Sequence, residues 1–149
     1  MAAGAAVAAL AAGGAVWAWQ GTRSLEAAPA AGEPACARAL ALAPATVLEG
    51  QRVPLGTAGA LAWGTDPQVL MRCGVLPPGP STLPCLDLDG IEWIFDQDVD
   101  PVVYTTYGRA PALDVRVPRS AGADRASAAL GELRAVAQAL PRTGRECVG

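Results

Sequence analysis

The stretch Ile91–Pro118, IEWIFDQDVDPVVYTTYGRAPALDVRVP, constrains this chain more than any other. Leu113, Val115 and Val117 alternate with Asp114 and Arg116, the two-residue period of a strand with one buried face. Val102–Tyr107 is β-branched and aromatic throughout, and Ile91–Phe95 is apolar and aromatic, both compositions that suit a pleated, half-buried surface. Asp96–Pro101 interrupts the first two runs, and Gly108-Arg109-Ala110-Pro111 turns the chain before the third. The pattern predicts an antiparallel meander of three strands.

Two further strands are predicted upstream. In Gln68–Val75, Val69, Met71, Cys73 and Val75 share one face, with Leu70 and Arg72 opposite. Cys85–Leu88 is expected to pair with that strand across the Pro-rich loop GVLPPGPSTLP, before Asp89-Gly90 turns into the meander. Cys36–Leu48 reads as a helix with Leu40 and Val47 or Leu48 inward, kinked or ended by Pro44 and stopped at Glu49-Gly50. Arg52–Gly59 reads as extended chain or loop, and Ala60–Gly64 as the approach to a turn at Thr65-Asp66-Pro67. Near the C-terminus, Leu130, Leu133, Val136, Ala137 and Leu140 recur at helical spacing in Ala123–Leu140, with Pro141 as the stop. The predicted fold is α+β: an antiparallel sheet of about five strands, an N-terminal and a C-terminal helix packed on it, and two disulfides.

The first residues belong to something else. Ala2–Trp19 carries no charge, is mostly Ala and Gly, and makes about 27 Å of helix, close to the thickness of a hydrocarbon core. The expected organisation is a signal peptide or single transmembrane anchor over residues 1–23, a linker over 24–35, and an extracytoplasmic domain over 36–149. All four cysteines, Cys36, Cys73, Cys85 and Cys147, follow the apolar segment. An even count behind an export-like segment predicts two disulfides. Of three connectivities, Cys73–Cys85 and Cys36–Cys147 are the expected pair, the first closing the Pro-rich loop and the second tying the first helix to the tail. The predicted location is the cell membrane with the domain outside the cytoplasm, or secretion.

Composition excludes much chemistry. The chain has no His and no Lys, so Ser-His-Asp and Cys-His mechanisms, His-bearing metal sites, Schiff bases and phosphate-binding lysines are all out of reach. A net charge of −3 with no basic run speaks against a nucleic-acid partner. The cysteines contain no CxxC spacing for zinc. Asp96, Asp98 and Asp100 alternate as a calcium loop begins, but Pro101 and Tyr107 stand where such a loop needs Gly and Glu; a solvated turn is the expected reading. Asp87 or Asp89 with Glu92 is the candidate carboxylate pair for a hydrolase, against turn residues flanking Gly90. Trp63, Arg72, Trp93, Tyr107 and Arg109 are the candidate binding residues, because two guanidiniums beside aromatic rings could hold a carboxylate or phosphate. Against that, both Trp residues suit a core and each Arg suits an Asp across a strand pair. No catalytic residue, metal or cofactor is assigned.

The ordered series Cys36, Trp63-Gly64 with Pro67, Arg72-Cys73-Gly74-Val75, Cys85, Trp93, Thr105-Thr106-Tyr107-Gly108-Arg109 with Pro111, and Cys147 resembles domain of unknown function 3515, an actinobacterial envelope family. The resemblance implies a secreted or single-span protein with its domain outside the cytoplasm, and brings no reaction, substrate or site residue. The expected role is therefore a non-enzymatic envelope module that binds an envelope protein or cell-wall component. A carboxylate-based hydrolase and a small anion-binding protein are the alternatives.

Overall fold

The computed structural model describes residues 25–148; the segment 1–23, expected as signal or anchor, lies outside them. Among the described residues no helix is long and apolar enough to cross a membrane. Helix α1 (Pro34–Leu40) precedes strands β1 (Thr46–Val47), β2 (Gly50–Val53), β3 (Ala60–Trp63), β4 (Val69–Val75), β5 (Cys85–Leu88), β6 (Ile91–Asp96), β7 (Val102–Thr106) and β8 (Ala112–Val117). Helices α2 (Ala123–Glu132) and α3 (Arg134–Gln138) follow. The strands form one antiparallel sheet in the order β1-β2-β3-β4-β8-β7-β6-β5. It is two four-stranded meanders joined where β4 meets β8.

The expected count of about five strands is therefore corrected to eight. The five predicted strands are β4 to β8, and β1, β2 and β3 are additional. They escape the period-two test for physical reasons: β1 has two residues, and two of the four residues of β3, Ala60 and Ala62, carry little strand preference. The predicted first helix loses its second half to the same correction. α1 stops at Leu40, and Val47 and Leu48 are buried from the β1–β2 hairpin instead. The single C-terminal helix is likewise two, parted at Leu133, whose φ of −92° and ψ of 4° leave the helical region.

Register divides the sheet into two faces. Met71, Val115, Tyr104 and Phe95 form one row across β4, β8, β7 and β6. That inner face, with Trp63 and Trp93 at 0% exposure, packs against Leu130, Leu133, Val136 and Leu140 of the C-terminal helical segment. Burying side chains this large contributes about 1.5–3 kcal/mol each before entropy is counted. The outer face carries the row Arg72, Asp114, Thr105, Ile94 and Cys85. Part of this face is covered by the segment before α1: Leu25 and Ala28 are buried, and the Ala30 N–H donates to Gly74 O at 2.9 Å. Gly74 has φ of +99°, and a Cβ there would collide with the Ala30–Ala31 backbone, so only glycine fits.

The disulfide pairing is also corrected. The bonds are Cys36–Cys73 and Cys85–Cys147, with Cα separations of 5.6 and 6.3 Å. A Cys73–Cys85 bond is impossible in this topology, because β4 and β5 lie four ladder spacings apart, about 19 Å, and a disulfide spans at most about 7 Å between Cα atoms. The Pro-rich segment 76–84 is not a hairpin loop but the crossover to the far edge of the sheet. Cys36–Cys73 is wholly buried and ties α1 to β4, whereas Cys85–Cys147 lies at the surface and ties the tail to β5.

Candidate binding site

The five sequence-derived binding residues do not assemble in one place. Trp63 and Trp93 are fully buried on the helix-covered face, and Trp63 Nε1 donates to Pro44 O at 3.0 Å. Arg72 lies on the outer face with its Nε 2.8 Å from Asp114 Oδ2, while its Nη1 donates to Glu26 O. Asp114 is 2% exposed, so Arg72 supplies the countercharge to a buried carboxylate, and taking one member of such a pair away costs about 3–5 kcal/mol. Arg109 is elsewhere. Its Nη1 donates to Gln138 O at 3.1 Å and Leu140 O at 2.7 Å, closing the carbonyl end of α3 as a cation does at a helix C-terminus. Burial first, and the charge of Arg142 second, hold Arg109 below its ordinary pKa.

Tyr107 and Arg109 do meet the candidate carboxylates. On the outer face Asp87 stands opposite Glu92 across β5 and β6, and the Tyr107 N–H donates to Glu92 O at 2.8 Å, which extends the row to the end of β7. The tail then returns along the segment after β7. Ala110 N–H donates to Pro141 O, Thr143 N–H donates to Gly108 O, and Arg109 and Arg142 form an antiparallel bridge. Gly108, at φ of +71°, lies directly under Arg145 O, where a Cβ would clash. The tail is fixed by the Cys85–Cys147 bond and by the Cys147 N–H, which donates to Glu92 Oε2 at 3.1 Å.

This arrangement forms an open cavity of about 250 Å³ lined by Asp87, Glu92, Tyr107, Arg109, Arg142, Arg145 and Glu146. A second cavity of about 260 Å³ shares Tyr107, Arg145 and Glu146 and is lined on its far side by Leu83, Ile94 and Val148. Tyr107, Arg145 and Glu146 thus border both a charged compartment and a more apolar one. Asp89 does not line the charged compartment: it sits in the β5–β6 turn, and its carbonyl accepts from Arg134 Nε.

Two metal readings can be judged on geometry. Cys85 Sγ, Cys147 Sγ and a Glu92 oxygen lie within 4.8 Å of one another, but the two sulfurs are bonded together and offer no thiolate. Asp96 and Asp100 direct carboxylate oxygens at the backbone N–H groups of Asp98 and Arg119, so these acids order the β6–β7 connection. Arg142, Arg145 and Glu146 were missed by sequence reasoning. Their only signal was a charged run, Arg142 to Glu146, immediately before a cysteine, and it acquires meaning once Cys147 is placed beside β5.

A model of the family described as "Protein of unknown function (DUF3515)" matches residues 2–144. No curated protein and no solved structure matches the chain.

Proposed function

The chain belongs to the DUF3515 family, whose description carries no activity, and from that premise we propose that it is a non-enzymatic binding module of an actinobacterial cell envelope, working outside the cytoplasm. The observation that supports its place outside the cytoplasm is that all four cysteines are oxidised, in two disulfides, a state that persists in oxidising compartments. Residues 1–23 act as export signal or anchor. The partner is an envelope protein or a cell-wall component, and it is received at the pocket that the C-terminal tail completes over β5, β6 and β7.

A hydrolase built on Asp87 and Glu92 has one observation in its favour: they are cross-strand neighbours lining one cavity. One oxygen of each carboxylate has a structural duty, Asp87 Oδ1 accepting from Gly90 N–H in the β5–β6 turn and Glu92 Oε2 from Cys147 N–H in the tail, which leaves Asp87 Oδ2 and Glu92 Oε1 facing a ligand and suits holding better than proton transfer. The test is incubation of the oxidised full-length chain with solubilised wall fragments, following retention and fragment cleavage together. Retention without cleavage is the expected outcome. Cleavage that disappears in Asp87→Asn or Glu92→Gln overturns the proposal in favour of the hydrolase.

A further inference from the structure

Resting on the reading of the tail-built pocket as the binding site, we propose that it takes a small zwitterionic ligand, an amino acid or short peptide, whose ammonium and carboxylate groups are held by opposite walls. One wall is acidic. Asp87 and Glu92 face each other directly across β5 and β6, a placement in which like charges repel. The other wall is mainly basic. Arg142 and Arg145 stand on the tail with Glu146 beside them, and Arg109, the bridge partner of Arg142, lines the cavity while its Nη1 holds the carbonyl end of α3.

No direct ion pair joins the two walls. Among the described residues the ion pairs are Arg72–Asp114, Arg116–Asp114 and Arg125–Glu49, all away from this cavity. Acidic and basic side chains therefore share one cavity without a direct ion pair between them. A purely anionic ligand would be held by the arginines but pressed against Asp87 and Glu92, and a purely cationic one would meet the reverse. A molecule carrying both signs relieves both walls at once.

Size narrows the class. At about 250 Å³ the charged compartment is below the roughly 300–1,000 Å³ of pockets for drug-sized ligands, which fits the charged end of an amino acid or dipeptide. The neighbouring compartment beyond Tyr107, with Leu83, Ile94 and Val148, has room for an apolar side chain of the same ligand.

The test is calorimetric titration of the oxidised full-length chain with the dipeptide alanyl-alanine, its N-acetyl derivative and its C-terminal amide. The parent should bind, and each blocked form should bind about tenfold more weakly or worse, as expected for loss of one charge-assisted contact. Arg142→Gln should weaken the parent and leave the amide unchanged. Glu92→Gln, which keeps an acceptor for the Cys147 N–H, should weaken the parent and leave the N-acetyl form unchanged. Equal affinity for all three probes, or no binding of the parent at millimolar concentration, overturns the inference. Binding of the N-acetyl form as tight as the parent would identify an anion site and also overturn it, while leaving the binding-module reading intact. That reading fails separately, through wall cleavage dependent on Asp87 or Glu92.

Discussion

The two meanders of the sheet make the same kind of hairpin in opposite ways. The β5–β6 turn is Asp89-Gly90, with φ of +52° and +80°, and the β1–β2 turn is Leu48-Glu49, with φ of +49° and +63°. Two left-handed residues between antiparallel strands is the turn whose twist matches the strands, and Asp-Gly is among the sequences that favour it. Leu and Glu are not, since the left-handed region costs ordinary residues about 1–2 kcal/mol each. The difference is made up from outside. Both Glu132 carboxylate oxygens lie 3.3 Å from the Leu48 N–H, and Arg125 donates to Leu48 O and to the Glu49 carboxylate. One hairpin is thus specified within its own residues, and the other by a helix 84 residues further along the chain.

The disulfides divide in the same manner. Cys36–Cys73 lies within the N-terminal meander and the helix that covers it, and Cys85–Cys147 joins the C-terminal meander, at β5, to the tail. For separations of 37 and 62 residues, loop-closure entropy alone would make the second about 0.5 kcal/mol the more stabilising. Burial argues the other way. Cys36 and Cys73 are fully enclosed between α1 and β4, whereas breaking the surface bond frees a tail that regains its own entropy by fraying.

The largest expected effect follows from that contrast. Cys36→Ala/Cys73→Ala should lose at least about 4 kcal/mol in urea denaturation, and Cys85→Ala/Cys147→Ala clearly less; a reversed order would break the comparison. Next, Glu132→Ala should cost about 2 kcal/mol, the scale of a hydrogen bond to a charged group. It should speed amide exchange across β1 and β2 while leaving β5 and β6 protected. Gly90→Ala should show the converse pattern at a cost of about 1–2 kcal/mol. Its Cβ meets nothing within 4 Å, so the whole effect is conformational. The smallest change is Glu49→Gly, expected to stabilise by about 0.5 kcal/mol. It relieves a left-handed glutamate but adds unfolded-chain freedom and removes an exposed ion pair. A loss there would show that the Arg125 contact matters more than the backbone strain.

The same asymmetry explains what could be read in advance. β4 to β8 were legible because β-branched alternation and the Asp89-Gly90 turn are local signals. β1 to β3 were not, because Ala60 and Ala62 carry little strand preference and Leu48-Glu49 is shaped by residues far away in sequence. At the site, Tyr107, Arg109, Asp87 and Glu92 were recognisable singly, but nothing local showed that they share a cavity. Trp63, Trp93 and Arg72 drew notice through chemistry that the core and Asp114 use instead. Arg142, Arg145 and Glu146 could be placed only by knowing that Cys147 joins Cys85, and that pairing depends on the crossover at 76–84.

The central claim is that this domain exists oxidised, with one disulfide for each meander and the second completing the pocket. Peptide mapping by mass spectrometry, without reduction and on protein isolated from its native source, tests it most directly. The account predicts peptides linked through Cys36–Cys73 and Cys85–Cys147 and no free thiol. Free thiols at these four positions, or peptides joined through Cys73–Cys85 and Cys36–Cys147, would contradict it.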